Sequence, residues 1–154
     1  MKKLIAVLAL LASVSAHAVE IPETSSKAFT CAALMSVTAV NAAQIVERAG
    51  GDSTATYRKF AEQRDQLINL AISMRQDEYR ARGYSIDMSA ADVATAYASA
   101  EGMEKGFISM DMPKNITVYE YQQRTLDAAK QTYDRYNCAS LAKKATSIPE
   151  YQAK

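Results

Sequence analysis

Carboxylates lead the side chains that could do chemistry here, because histidine is nearly absent. Glu101, Glu104 and Asp127 fall in stretches of helical character. A Glu/Asp pair suffices for sugar hydrolysis, one group acting as acid and the other as base or nucleophile. Any helical protein offers such pairs, so they assign nothing by themselves. Met88, Met103, Met110 and Met112 gather around one helical segment and its exit. Soft thioether sulfur suits Cu(I), yet methionine also fills gaps in cores and lines adaptable contact surfaces. Core or partner contact is the reading taken, and no metal or other cofactor is expected. Arg64 and Glu104 each interrupt an apolar stripe. If their segments pack as a hairpin, the two meet within about a turn and form a buried ion pair, which fixes register more than it adds stability. An internal polar pocket is the functional alternative.

Absent groups exclude more than present ones suggest. The only histidine, His17, lies in a stretch that reads as a cleaved secretory signal, residues 1–18. Lys2 and Lys3 supply its positive start, Leu4–Ala12 its apolar segment, and Ala16-His17-Ala18 its small-residue cleavage pattern. Removal leaves residues 19–154 as a single domain without histidine, and turns the formal net charge of +1 slightly negative. Ser-His and Cys-His nucleophiles, histidine-built metal sites and haem ligation by histidine are then ruled out. No glycine-rich phosphate loop is present, and the near-neutral charge gives no footprint for nucleic acid. The signal points to the periplasm or to secretion. In that oxidising setting the two cysteines, Cys31 and Cys138, read as one disulfide. Closing a loop on the order of 100 residues stabilises by about 4.7 kcal/mol in the loop-entropy picture.

The elements that hold these groups are helices. Five glycines and three prolines are few for the length, and alanine, glutamine, glutamate and arginine are plentiful, a balance that favours helix over sheet. The first helix is capped by Ser25 or Ser26, runs to about Ala49 and stops at Gly50-Gly51. Within it Ala28–Val46 has no charged residue. One face, Cys31, Leu34, Met35, Thr38, Ala42, Ile45 and Val46, is core-like. The opposite side, with Phe29, Ala33, Ser36, Val37, Val40, Asn41 and Gln44, is mildly polar but uncharged, where solvent normally meets Lys or Glu. Its length would cross a bilayer, but Thr30, Ser36, Thr38, Asn41 and Gln44 argue against a span in the mature chain.

A second helix begins at Asp52, Ser53 or Thr54 and ends near Arg82 before Gly83, with Tyr57, Phe60, Leu67, Ile68, Ala71 and Met74 in its stripe. Ser89 and Asp92 open a third, whose inward stripe is Val93, Tyr97, Ala100, Glu104, Phe107 and Ile108. Thr117-Val118-Tyr119-Glu120 is a capping box opening a fourth, with Val118, Tyr119, Gln122, Leu126, Ala129, Tyr133 and Tyr136 inward and Tyr121 outward. Cys138 falls off that face, so a bend at Asn137 and a short helical piece to about Lys144 are expected, followed by a loose tail from Ile148.

These features predict an all-α, antiparallel up-down four-helix bundle, its last helix bent near Asn137 and closed by Cys31–Cys138. The expected role is non-enzymatic: binding another protein of the cell envelope, or self-association, as an inhibitor, immunity or exclusion factor or assembly accessory. Ala33, Ser36, Val37, Val40 and Gln44 are the candidate partner face. An envelope-stress chaperone for unfolded clients is the alternative, and a carboxylate-based peptidoglycan hydrolase ranks below both.

Overall fold

The computed structural model describes residues 23–110 and 112–149. The signal segment 1–18, residues 19–22 and the last residues of the tail lie outside the described residues. Among those described there are five helices and no strand: α1 (Ser25–Arg48), α2 (Ser53–Ala81), α3 (Ala90–Met110), α4 (Val118–Arg135) and α5 (Cys138–Ala145).

Local chemistry sets nearly every boundary. The side chain of Thr24, one residue before the expected caps, accepts the Lys27 N–H at 3.2 Å and starts α1. Gly50 closes it with φ of 77°, while Gly51 N–H donates to the Val46 carbonyl at 2.9 Å, the glycine-terminated ending the sequence predicts. Asp52 caps α2 by accepting Ala55 N–H at 2.9 Å, and Gly83, with φ of 83°, closes it. Ser89 and Asp92 cap α3 reciprocally: each side chain accepts the other's backbone N–H, at 3.2 and 3.1 Å. Thr117 and Glu120 do the same for α4. Asn137 provides the expected break, taking the left-handed conformation at φ of 51° and turning the chain into α5. Asparagine tolerates that region better than most residues.

α1 is the centre of the molecule. α2 runs back along its length, α3 and α4 pack against other sides of it, and α5 rests on α2 and α4. This is possible because α1 is thin: Ala28, Ala32 and Ala33 are fully buried and let neighbouring helices approach closely. Leu34, Leu67, Ile72 and Leu141 fill the core between them. α1 is long and apolar enough to cross a membrane, and here that apolar surface goes into packing with the other helices.

The arrangement departs from the simple bundle at α3. α3 packs on α1 and only lightly on α4, with little or no packing against α2. The expected side-by-side hairpin of α2 and α3 is therefore missing. The inward stripes shorten accordingly. Ala100, Glu104 and Ile108 are buried on α3, but Phe107 is 63% exposed; on α4 Gln122 and Ala129 are buried, whereas Val118 and Tyr119 are open to solvent. The light contact between α3 and α4 leaves the outer part of the α3 stripe exposed.

The disulfide joins Cys31 of α1 to Cys138 at the start of α5, with Cα atoms 5.6 Å apart. Both cysteines are fully buried. A second tie lies beside it, where the Lys144 ammonium of α5 pairs with the Glu23 carboxylate ahead of α1, holding that carboxyl below the usual range.

Candidate functional site

The uncharged side of α1 divides in two. Phe29, Ala33 and Val37 are buried within the monomer. The Ser36 hydroxyl donates to Glu101 of α3 at 2.8 Å. Beyond that point the cover thins: Val40 is 45% exposed, and Gln44 is exposed while accepting a hydrogen bond from the Gln122 side chain of α4. Of the five residues predicted as a partner face, Ala33 and Val37 thus belong to the core side. Val40 and Gln44 reach solvent.

Val37 and Val40 form one wall of a groove of about 400 Å³ between α1, α3 and α4. Its other walls are Gly106, Ile108 and Ser109 of α3 and Tyr121 and Thr125 of α4, and Lys105 is the one charged residue lining it among the described residues. Lys105 is itself engaged, 3.0 Å from the Glu101 carboxylate. Burial pushes the Glu101 carboxyl upward, but the Ser36 hydroxyl and the Lys105 ammonium outweigh it and hold the group below its ordinary range. Lys105, the charged group lining the groove among the described residues, is thereby neutralised by its pairing with Glu101. Tyr121 stands at its edge, 40% exposed, as its outward position in the sequence predicts.

On the other side of α3 lies a larger groove of about 680 Å³, between the end of α3 and the length of α4. Glu104 lines it at only 7% exposure, with Phe107, Met110 and Tyr136 beside it and Arg124, Asp127 and Arg135 along the α4 wall. The expected ion pair with Arg64 is not formed. Arg64 instead reaches its chain neighbour Asp65 at 2.7 Å, because α2 does not pack beside α3. Glu104 has no ion-pair or hydrogen-bond partner among the described residues, and burial alone pushes its carboxyl upward. An unpaired carboxyl of this kind can keep its proton or take a cation from outside.

Of the three carboxylates singled out from sequence, Glu104 and Asp127 share this groove, while Glu101 points toward α1. The methionines separate too: Met88 is buried in the core, Met103 is exposed, and Met110 and Met112 line the large groove. No cluster of three or more metal-ligating side chains of the His, Cys, Asp or Glu type occurs among the described residues. Tyr133 and Tyr136 pack against the core as expected, with the Tyr133 hydroxyl accepting from Gln63 at 3.4 Å. Tyr119 does not; it is 51% exposed.

Two features escaped the sequence reading. One is the exposed row Met103, Phe107 and Met110, whose helical spacing is that of a core stripe; Phe107 and Met110 stay open because α3 and α4 meet only lightly across the groove they line. The other is the anchorage of Phe29, assigned to the outer face but buried under the Arg75 guanidinium, 5.1 Å from its ring centre. Comparison with protein-family models, with curated proteins and with solved structures finds no match to this chain.

Proposed function

We propose that this chain is a small envelope protein, periplasmic or secreted, that acts by binding another envelope protein rather than by catalysis. Inhibitor, immunity or exclusion factor and assembly accessory are the roles that fit. The observation that carries this reading is the largely apolar groove beside Val40 and Tyr121, whose one charged lining residue among those described, Lys105, is paired with Glu101, since exposed aromatic and aliphatic side chains around a concave surface are the usual anchors of protein contacts. The test is affinity capture from envelope extract with the disulfide-bonded chain. A partner retained by the wild type and lost with Val40→Asp, at unchanged helicity, supports the reading; a partner set identical for both proteins overturns the groove as its site.

A second reading, a chaperone for unfolded envelope proteins, is favoured by the exposure of Phe107, Met110, Val118 and Tyr119 near the α3–α4 connection. It differs in selectivity. Suppression of aggregation of several unrelated unfolded clients, strongest at acidic pH and reduced by Phe107→Ser, would mark this role, whereas a specific binder protects none of them.

A further inference from the structure

The large groove is distinct from the groove beside Val40; among the described residues the two share only Ile108. Its composition is mixed. Phe107 and Met110, 63% and 76% exposed, give it an apolar rim. Arg124 and Asp127, one turn apart on α4, bring charges of both signs to the opposite wall. At depth sits Glu104, more than nine-tenths buried and without a partner among the described residues. Nothing in the fold calls for a carboxylate there, since α3 uses the positions one turn before and after it, Ala100 and Ile108, for apolar burial.

A buried carboxylate left alone costs stability, and truncating or neutralising it relieves that cost. The same group becomes useful when a cation arrives to pair with it in a site already shielded from water, where the pair attracts more strongly than at the surface. The cation must come with an apolar surround to sit against Phe107 and Met110. Free metal ions do not fit, because Glu104 and Asp127 belong to no group of three or more ligating side chains among the described residues, and hard cations require more oxygen ligands than two carboxylates set beside Arg124 and Arg135 supply.

We propose that this groove receives a single lysine or arginine side chain of the partner protein, flanked by apolar residues, with the cation paired to Glu104 and the flanking side chains against Phe107 and Met110. The inference rests on the protein-binding reading and adds the chemistry of the partner segment. Arg124 and Arg135 on the α4 wall select against segments with a run of basic residues, so one cation is admitted where several are repelled.

The probe is the peptide acetyl-Ala-Leu-Lys-Leu-Ala-amide, titrated into the isotopically labelled, disulfide-bonded chain and followed by NMR. A second peptide has norleucine in place of lysine, and a third titrant is 1,5-diaminopentane. Shifts confined to the end of α3 and to the facing part of α4, at least tenfold weaker with norleucine and with Glu104→Gln, are the expected result. The Glu104 side-chain carboxyl should also titrate at lower pH when the lysine peptide is bound. Equal binding of the lysine and norleucine peptides, or unchanged binding in Glu104→Gln, overturns the proposal. Binding of the free diamine as tight as that of the lysine peptide overturns the protein-segment occupant. Val40→Asp leaves the peptide titration unchanged, so failure here is separable from failure of the partner groove beside α1.

Discussion

Both oxygens of the Glu78 carboxylate are spent on one residue, Ser25: one accepts its backbone N–H and the other its hydroxyl, each at 2.7 Å. A residue near the end of α2 thereby serves the start of α1, where N–H groups have no partner within their own helix. Arg75 completes the arrangement, donating to the Ser25 hydroxyl at 3.2 Å while its guanidinium covers Phe29. Hydrogen bonds to a charged acceptor contribute about 1.5–3 kcal/mol each. Glu78→Ala should therefore lower unfolding stability by about 2 kcal/mol or more, read from the urea midpoint. A change below about 0.5 kcal/mol would show that Thr24 alone suffices to start the helix.

Glu104 predicts a pH dependence of unusual sign. Its carboxyl is shifted upward by burial, so its contribution is present when it is protonated and is lost as pH rises through its folded-state value. Glu104→Gln removes that loss. The variant should be more stable than wild type at pH 7, because glutamine stays buried and polar but never ionises, and the advantage should vanish toward pH 4. Asp92 and Glu120 move the other way, held low by bonds from Ser89 and from Thr117, so acid weakens the starts of α3 and α4. Urea midpoints of both proteins from pH 4 to 8 check the sign directly.

Replacing both cysteines by serine should cost about 2–5 kcal/mol, the range for loss of a native disulfide from a small domain. Reduction with a strong thiol should give a similar loss in thermal midpoint. Because Cys31 and Cys138 are both fully buried, reduction should also be slow under native conditions and speed up in proportion to unfolding, which thiol trapping at increasing urea measures.

Asn137 makes no side-chain capping bond despite its position between α4 and α5. Its role is therefore that of its backbone, which sits at φ of 51°. Asn137→Ala should destabilise by about 1 kcal/mol, the cost of placing a side chain with no compensating group in the left-handed region. Glycine at the same position should restore the loss. Thermal melts of the two variants separate this account from a side-chain role.

Helix ends and the disulfide were legible in the chain because both depend on local or covalent rules. The Thr117/Glu120 pair, Gly50, Gly83 and the break at Asn137 each announce themselves within a few residues, and a chain with two cysteines allows one internal pairing. Which helix lies beside which was not legible. Periodicity places Glu104 and Phe107 on one stripe, but only the docking of α3 on α1 decides that the first is buried and the second open. The Arg64–Glu104 pairing failed for the same reason, since it assumed a hairpin that the short α2–α3 connection permits without requiring. The uncharged side of α1 was read as a candidate partner face, and the partial covering it receives from α3 and α4 is a matter of tertiary contact that no single-helix pattern encodes.

The placement of the disulfide, 107 positions apart in sequence, has a consequence for how the molecule is made and how it is cut. Cys138 follows Cys31 by the whole run of α2, α3 and α4, so oxidation can only certify a chain in which those three helices have already been made. Once formed, the bond makes α2, α3 and α4 part of a covalent ring. A protease that severs the connection between α3 and α4 opens that ring without dividing the molecule, and the two pieces part only when a reductant reaches the buried sulfurs.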